Sequence, residues 1–398
     1  MKIIHTSDWH LGHRLYNFDN ADEERHFLRQ VEETVCEEQP DALIVSGDVF
    51  DNGTPGNDTA KRFTDAILSM TVRCPTMETV VIAGNHDSYS RLSVDKELWL
   101  RARVHIFGMP GEDKEGRAVF EKNTLIIPGK GVIAAVPFCH PRNFPSVEGA
   151  EDDDRGKSYF KGLARYAAGI SGDLPRVLAA HLAVKGDIDF SGQDKSMVIG
   201  GAECVDVKSL GEGYSYIALG HIHCPQWIKG EGKVARYCGT PRAVSFDETY
   251  AHGVDVVKIE KSAPPEVATK KFDPLNDLVT VGGKEGLEFE SLMEKTLESD
   301  LPENTYVRLN VRLGANEVPG PDWTERARAA CASKGYRFCA INPIRAGTVE
   351  QPEKRRKITV AELKELSDDE VLDILSARHE LTQRQRQLIG NLMEGLRA

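Results

Sequence analysis

Hydrophobic residues recur with two different periods along the first 260 residues, and these periods predict alternating strands and helices. Between residues 21 and 38, Phe27, Leu28, Val31 and Val35 lie at helical spacing, so a helix is expected there. Shorter apolar runs have the length and composition of buried strands, and they fall at 2–5, 41–46, 79–83, 176–181 and 214–219. Further helical patterns lie at 59–70 and 157–171. The alternation predicts an α/β fold with helices flanking the sheets.

The remaining third of the chain divides into a small block and a tail. Prolines near 261–265 interrupt regular structure. The block that follows has a strand–helix–strand pattern, and the tail has capping-box patterns followed by apolar residues at helical spacing. We therefore predict three domains, at 1–262, 268–346 and 353–398.

Composition narrows the classes of function. The net charge of −12 is evidence against a protein that coats DNA by general electrostatic attraction. It remains compatible with a nuclease, because a metal site gathers carboxylates and the bound cations reverse the local field. The eight cysteines include no C-x-x-C pair, which is evidence against a structural zinc site. Without a secretory signal or an apolar stretch of about 20 residues, the chain is predicted to be cytoplasmic and to have no membrane contact.

Side chains that bind metals follow several predicted strands at the point where each strand ends. Because the carboxyl ends of strands in an α/β sheet converge on one edge, we expect these side chains to lie together. Their mixture of nitrogen and oxygen donors suits divalent ions. Asp48 has two carboxylate oxygens with which to bridge a pair of ions. The segments are Asp8-Trp-His10, Gly47-Asp48-Val-Phe-Asp51, Gly84-Asn85-His86-Asp87, His181 and Gly220-His221-Ile-His223.

Each of these segments also has an ordinary structural explanation. Asp-x-His is usually a turn or a helix cap, Gly-Asp is a common turn, and a single histidine such as His181 is more often a packed residue. The combination, in this order and at these strand ends, is hard to obtain from structural needs alone. We therefore interpret it as a metal site, and we expect His13 and the remaining histidines to have no ligand role.

These segments resemble the calcineurin-type metallophosphoesterase superfamily. The opening Thr6-Ser-Asp-Trp-His-Leu-Gly12 is most similar to the branch of SbcD-type nuclease subunits, which are bacterial relatives of the eukaryotic break-repair nuclease. Tyr237-Cys-Gly-Thr-Pro241 supports the same branch, although Gly-Ser-Pro is frequent where this chain has Gly-Thr-Pro. The resemblance covers most of residues 1–260. It implies a β-sandwich flanked by helices, a small α/β capping domain and a helical tail.

The resemblance also implies a role for each site residue. We call the seven predicted ligands together the metal cage. His86 is expected outside this cage, where it helps the leaving oxygen depart, and Asp51 is expected to orient His86. The implied cofactors are two divalent ions, usually manganese in this branch, and the ligand set also permits magnesium. One ion is expected on Asp8, His10 and His223, the other on Asn85, His181 and His221, with Asp48 bridging both.

The implied activity is that of a two-metal DNA nuclease acting in repair, recombination and replication as the SbcD-type member of an SbcCD-like complex. It comprises 3′-5′ exonuclease activity on duplex ends and endonuclease activity on hairpin or blocked ends. The implied partners are DNA, a second copy in a homodimer, and an SbcC-type ATPase that binds the C-terminal helices and completes a heterotetramer. No P-loop pattern occurs here, so any ATP dependence is expected to come from the partner.

Two other functions stay open on the sequence. One is a metallophosphoesterase that acts on a small phosphodiester or a phosphoprotein, because the cage alone does not define the substrate. Asp51-Asn-Gly53 departs from the Asp-Arg-Gly of protein phosphatases and counts against that branch. The other is a non-catalytic scaffold that binds DNA ends.

Overall fold

A computed structural model of the chain gives the fold. It describes residues 1–345 apart from 151–153, 186–187, 191–204, 229–233, 262 and 315–316. Residues Met1–Ile344 form one compact unit. The predicted helical tail at 353–398 lies outside the described residues.

Two six-stranded sheets form the centre of this unit. The strands of the first sheet, in spatial order, are β14 (Glu266–Lys271), β13 (Gly253–Lys258), β1 (Lys2–Thr6), β4 (Ala42–Ser46), β5 (Glu78–Ile82) and β6 (Val104–Phe107). The strands β1, β4, β5 and β6 are parallel, and β13 and β14 extend the edge beyond β1 as antiparallel strands. The sheet continues through β14, past the prolines at 261–265 where we expected the first domain to end.

The second sheet has the same size and a similar mixed topology. Its strands, in spatial order, are β11 (Gln226–Trp227), β12 (Ala235–Tyr237), β10 (Tyr216–Gly220), β9 (Arg176–His181), β8 (Gly131–Val136) and β7 (Thr124–Ile127). The strands β8, β9, β10 and β12 are parallel, and an antiparallel strand lies at each edge.

Alternation along the strands explains why the sheets pack as a sandwich. In β4, Ala42 and Ile44 belong to the core between the two sheets, whereas Leu43 and Val45 face the helices on the outside. Successive side chains of a strand point to opposite faces, so a run that is apolar at every position must be covered on both sides. The order of layers is therefore helix, sheet, sheet, helix, which agrees with the predicted α/β class.

Helices cover the outer face of each sheet. The first helix occupies the predicted range, and burial of Phe27, Val31 and Val35 against the first sheet stabilises it by about 1.5–3 kcal/mol per side chain. The fifth helix covers the second sheet. The helices of this part are α1 (Ala21–Glu38), α2 (Asn57–Arg73), α3 (Tyr89–Leu92), α4 (Lys96–Trp99) and α5 (Arg155–Ser171).

The small block after the sandwich has its own core. Val307, Leu309, Val311 and Leu313 alternate along one strand and pack against two helices on one face of a three-stranded sheet. A short hairpin of the first domain, β2 (Arg14–Leu15) and β3 (Phe18–Asp19), packs near the other face. The elements of the small block are β15 (Leu278–Val281), α6 (Phe289–Glu298), β16 (Tyr306–Leu313), α7 (Trp323–Ser333) and β17 (Arg337–Arg345), with the strands in that spatial order.

The length and hydropathy of the helices indicate whether any of them could cross a membrane. Within the described part of the chain, none has the length and apolar character that crossing a bilayer requires.

Candidate metal centre

The predicted ligands lie at or just beyond the carboxyl ends of five parallel strands. Each strand places one or two polar side chains into the same space, because parallel strands end at the same edge. The fold thus brings together all seven residues predicted as ligands. The strands and their residues are β1 with Asp8 and His10, β4 with Asp48, β5 with Asn85, β9 with His181, and β10 with His221 and His223.

One group of ligand atoms comes from β1 and β10. Asp8, His10 and His223 each offer an atom within 4.8 Å of the others. The two Nε2 atoms of His10 and His223 are 3.2 Å apart. Atoms about 2.1 Å from a common ion lie about 3–3.4 Å from one another, so this spacing suits one divalent ion.

A second group surrounds Asn85. Its side-chain oxygen lies 3.0 Å from Nε2 of His181 and 3.0 Å from Nδ1 of His221. Nδ1 of His181 is 2.8 Å from the carbonyl oxygen of Ser46 and must donate to it, so the neutral ring presents a lone pair at Nε2. That lone pair faces two oxygens, of Asn85 and of Asp48 at 3.5 Å. Three acceptors converge only where a cation or a proton lies between them, so the residues fit a metal ion.

Asp48 joins the two groups through a single oxygen. Its Oδ1 accepts the backbone N–H of His86 at 2.9 Å. Its Oδ2 lies 3.8 Å from Nε2 of His10 and 3.5 Å from Nε2 of His181. The sequence suggested a bridge with one oxygen for each ion, whereas the geometry directs one oxygen toward both groups because the other is held by the backbone.

His86 lies at the edge of the cage, and its contact with Asp51 differs from the expected one. Nδ1 of His86 is 2.8 Å from the backbone carbonyl oxygen of Asp51, so the main chain orients the ring. The Asp51 carboxylate lies instead 3.8 Å from Nδ1 of His10. His86 also offers an atom within 4.8 Å of ligand atoms of His10 and Asp48, so distance alone permits it as a ligand. Its place outside the cage stays a prediction.

The cage concentrates backbone strain. Among the described residues, eight that are not glycine have a positive φ, and four of these are predicted ligands. Such conformations cost about 1–3 kcal/mol each and persist where the surrounding structure imposes them. These conformations are retained at the site because they direct the four side chains into one space. The four are Asp8 (φ 52°), His10 (φ 43°), Asp48 (φ 47°) and His221 (φ 102°).

Two glycines allow the chains to approach at the cage. Gly47 has φ 91°, and a Cβ there would lie 2.2 Å from Nδ1 of His181. A Cβ on Gly84 would lie 2.1 Å from Oδ1 of Asp48. Gly47 is therefore required both for its conformation and for space, whereas Gly84 is required for space.

Two carboxylates that the sequence analysis did not assign, the buried Glu248 and the partly buried Asp87, support the cage. Glu248 Oε1 lies 2.8 Å from Nδ1 of His223, which leaves Nε2 of that ring for the metal group. Asp87 accepts the backbone N–H groups of Gly84, Val49 and Phe50 at 2.8–3.1 Å, and so fixes the loops after β4 and β5. Asp87 ends the quoted segment Gly84-Asn85-His86-Asp87, where it was assigned no role, and Glu248 lies outside every quoted segment.

His13 lies close to the site without joining it. Its Nδ1 is 3.3 Å from the side-chain nitrogen of Asn20. Burial and the nearby Arg242 charge lower the pKa of His13 to about 3. His13 belongs to none of the metal-binding groups found among the described residues, in line with the expectation from the sequence.

The electrostatics of the site are dominated by burial and by Asp48. Burial lowers the pKa of His181, but the opposing effect of the Asp48 carboxylate is stronger. The pKa of His181 is therefore raised to about 9. Burial and the His181 charge lower the pKa of His221 to about 3. Burial also lowers the pKa of His10 well below its usual value. Without metal at neutral pH, His181 is thus the protonated partner of Asp48.

We expect metal binding at this site to release a proton from His181. A divalent ion needs the Nε2 lone pair, and a pKa of about 9 means that the proton must be displaced at any lower pH. Apparent metal affinity should therefore rise with pH through the neutral range and level off near pH 9. Calorimetric titration with manganese at pH 7, in buffers of different ionisation enthalpy, should show release of about one proton or more for each chain saturated. Titrations with no buffer dependence would contradict this charge state.

Glu248 provides a second test, directed at the support of His223. Glu248→Ala removes the acceptor of the Nδ1 proton, and loss of such a partner typically weakens metal binding by about 10–100-fold. Glu248→Gln keeps an oxygen that accepts the same bond and should recover most of the affinity. Equilibrium metal titration measures the effect, with the exposed Glu121→Ala as a matched control. Equal affinities for Glu248→Ala and the control would show that His223 needs no support from this carboxylate.

Comparison with known proteins agrees with this geometry. Residues 1–225 match the family model described as calcineurin-like phosphoesterase. A Rhodobacter capsulatus protein, named as the D component of nuclease SbcCD, is 33% identical over 278 residues, which are 67% of this chain and 68% of that protein. The chain is a calcineurin-like phosphoesterase of the SbcD family. It is accordingly a metal-dependent phosphoesterase.

Two further members of the SbcD family show similar coverage. The protein of the same name from Bacillus subtilis is 29% identical over 326 residues, covering 79% of each chain. The one from Escherichia coli is 30% identical over 263 residues, covering 62% of each.

Proposed function

We propose that this protein is a DNA nuclease, the SbcD-type component of an SbcCD-like complex. The proposed activity comprises 3′-5′ exonuclease action on duplex ends and endonuclease action on hairpin or blocked ends, in the cytoplasm. The observation that carries it is the pair of ligand groups that share Oδ2 of Asp48, in a chain whose relatives are named as components of nuclease SbcCD.

The proposed ligand sets follow the two groups of atoms. When bound, two divalent ions polarise the phosphate and lower the pKa of the attacking water. The mixture of imidazole, carboxylate and amide donors is compatible with manganese, which we propose as the metal, and with magnesium. One set is Asp8, His10 and His223, the other is Asn85, His181 and His221, and Asp48 is shared.

His86 is the proposed proton donor. Its Nδ1 is engaged by the carbonyl oxygen of Asp51, which fixes the ring and leaves Nε2 available toward a substrate. A protonated Nε2 hydrogen bonds to the leaving 3′-oxygen and transfers its proton as the P–O bond breaks. Because the orienting group is a backbone carbonyl, the ring keeps its position whatever side chain residue 51 has.

One set of assays separates this function from its alternatives. The full chain is incubated with manganese and three substrates: a labelled DNA duplex, a phosphoprotein, and the small diester bis(p-nitrophenyl) phosphate. A nuclease cleaves the DNA, and the Asp48→Asn protein does not. Cleavage of the phosphoprotein without the DNA would overturn the proposal in favour of a phosphatase. Binding of DNA ends without cleavage of any substrate would indicate a scaffold.

The small block at 268–346 is proposed as the capping domain over the DNA path. It contacts the sandwich through polar groups, since the Tyr306 hydroxyl donates to Glu23 at 2.7 Å and Arg308 pairs with Asp247 at 2.9 Å. The tail at 353–398 is proposed to bind the SbcC-type ATPase, because relatives carry the name of that complex. Removing the tail should abolish co-purification with the ATPase and leave cleavage of the small diester intact.

A second copy of the chain is proposed to dock on an apolar surface of the first domain. Val94 and Leu98 are 73% and 64% exposed, and Leu68 and Val72 on α2 are 39% and 78% exposed. The two segments adjoin, because Trp99 contacts Phe63 of α2 with ring centroids 5.9 Å apart. Exposed apolar clusters of this kind mark interfaces in soluble proteins.

The dimer is tested by a charge placed within this surface. Leu98→Glu should shift the mass measured by light scattering from that of a dimer to the 44.0 kDa of one chain. Ile126→Glu is the matched control, since Ile126 is 52% exposed on β7 of the other sheet. A wild-type chain that is monomeric, or a Leu98→Glu protein that stays dimeric, would contradict the assignment.

A further inference from the structure

A cleft lies between the β2–β3 hairpin and the small block at 268–346, which we call the small domain. Its volume is about 410 Å³, within the range of about 300–1,000 Å³ that is usual for small-molecule sites. The hairpin contributes Tyr16, Asn17 and Phe18. The small domain contributes Thr324 and Arg328 from α7 and residues 338–341 from β17. We call this the hairpin cleft.

Tyr16 forms the exposed side of the cleft. It is 48% exposed and has φ 54°, a left-handed conformation that a bulky residue rarely adopts. Asparagine or glycine would suit this position of a two-residue turn better. The turn therefore does not explain the tyrosine, and strain of this kind is a reason to look for a function of the side chain.

The ring is supported from one side. Phe246 contacts it edge to face with centroids 6.1 Å apart, and the Arg308 guanidinium lies 5.0 Å over the Phe246 ring. These neighbours fix the orientation of Tyr16 while its exposed part remains available to a ligand in the cleft.

The small domain brings a cation and a second aromatic ring. Arg328 is exposed and has no acidic partner among the described residues. Arg326 on the same helix is paired with Glu290 at 2.6 Å, and Arg337 with Glu23 at 3.2 Å. Phe338 is half-buried on β17, the edge strand of its sheet. The cleft thus combines aromatic rings with a guanidinium that has no counter-charge within the described part of the chain, although the full sequence has a net charge of −12.

We propose that the hairpin cleft binds one unpaired nucleotide of a DNA strand. The base lies against Tyr16 and Phe338, and Arg328 faces the phosphate. Aromatic faces combined with cations are the usual means of binding single strands without sequence preference. The proposal rests on the proposed nuclease function and adds a subsite to it, one that favours ends with unpaired nucleotides.

The position of the cleft links it to the metal centre. The hairpin begins at Arg14, four residues after His10. Phe246, which supports Tyr16, is two residues from Glu248, and Glu248 holds His223. A strand anchored in the cleft is therefore held by two segments, one that continues from His10 and one that contains Glu248, the residue that contacts His223.

The test measures binding of a fluorescent oligothymidylate to the full chain by anisotropy. Tyr16→Ala should weaken binding by about tenfold or more, and Tyr16→Phe should restore most of it, because the ring and not the hydroxyl makes the contact. Arg328→Ala should weaken binding and lower the slope of log affinity against log salt by about 0.7, as expected for one lost phosphate contact. Arg326→Ala, on the same helix but ion-paired, is the matched control and should change neither.

Hydrolysis of bis(p-nitrophenyl) phosphate with manganese shows whether each variant is folded and keeps its metal centre. Active variants that bind the oligonucleotide as well as wild type does would overturn the cleft assignment and leave the nuclease function standing. A wild-type protein that hydrolyses the diester but neither binds nor cuts DNA would overturn the nuclease proposal itself. If Tyr16→Ala proves unstable, the Arg328→Ala protein provides the test, because Arg328 is exposed. An unchanged slope of log affinity against log salt for Arg328→Ala would also contradict the proposal.

Discussion

Asp48→Asn is expected to lower the metal-dependent diesterase activity by about 10³-fold, because charge stabilisation by the metals is worth several kcal/mol and each 1.4 kcal/mol is a factor of ten. The oxygen that this substitution neutralises is the one that faces both ligand groups. The number of manganese ions bound should fall from two to about one per chain, since the shared anionic ligand is lost. Activity on the small diester and metal content by equilibrium dialysis measure the two effects.

Asparagine is the right replacement at this position for two structural reasons. Asp48 has φ 47°, and asparagine accepts a left-handed conformation more readily than other L-residues do. Its amide oxygen can also keep the hydrogen bond from the backbone N–H of His86. The exposed Asp65→Asn is a control for the loss of one negative charge. An Asp48→Asn protein that retains two ions and full activity would refute the bridging role.

His86→Ala is expected to slow DNA cleavage by about 10²–10⁴-fold while metal binding remains unchanged, as for the loss of a general acid. The effect should depend on the leaving group. The 3′-oxygen of DNA needs a proton when it departs, whereas p-nitrophenolate leaves as an anion. Hydrolysis of bis(p-nitrophenyl) phosphate should therefore be nearly unaffected by the same substitution. Rates on both substrates with saturating manganese give the comparison.

The same experiment decides the position of His86 relative to the cage. Its ring lies 5.0 Å from that of His10, centroid to centroid, close enough for a ligand role by distance. If His86 were a ligand, His86→Ala would weaken manganese binding and slow both substrates to a similar degree. A loss confined to DNA cleavage with normal metal affinity is the result expected for a proton donor.

The grouping of the seven predicted ligands was predictable from the sequence because strand ends are predictable. His181 ends one apolar run of strand length and Asp48 lies two residues beyond another, and the carboxyl ends of parallel strands meet at one edge. The first helix was predictable for a similar reason, since the spacing of its apolar residues gives both its length and its buried face.

The residues that support the ligands were not predictable in the same way. Glu248 lies outside helices and strands, and it is 25 residues from His223 in the sequence. No local sequence pattern therefore predicts their contact. The backbone contact of Asp51 with His86 depends on the course of a loop, and a backbone carbonyl carries no signal in the residue type. The strand β14 follows prolines that indicate a boundary, yet pairing with β13 continues the sheet across them.

The positive φ angles of four predicted ligands have a consequence for interpreting related sequences. Aspartate and histidine at positions 8, 10, 48 and 221 keep a backbone conformation that glycine would adopt at lower cost. In a lineage that no longer needs the metal, replacing these residues by glycine relieves the backbone strain and raises stability. We therefore expect these side chains to be lost once catalysis is no longer under selection. Retention of a costly residue at such a position in a divergent homologue is therefore stronger evidence of surviving catalysis than retention of an equally polar residue in an ordinary conformation.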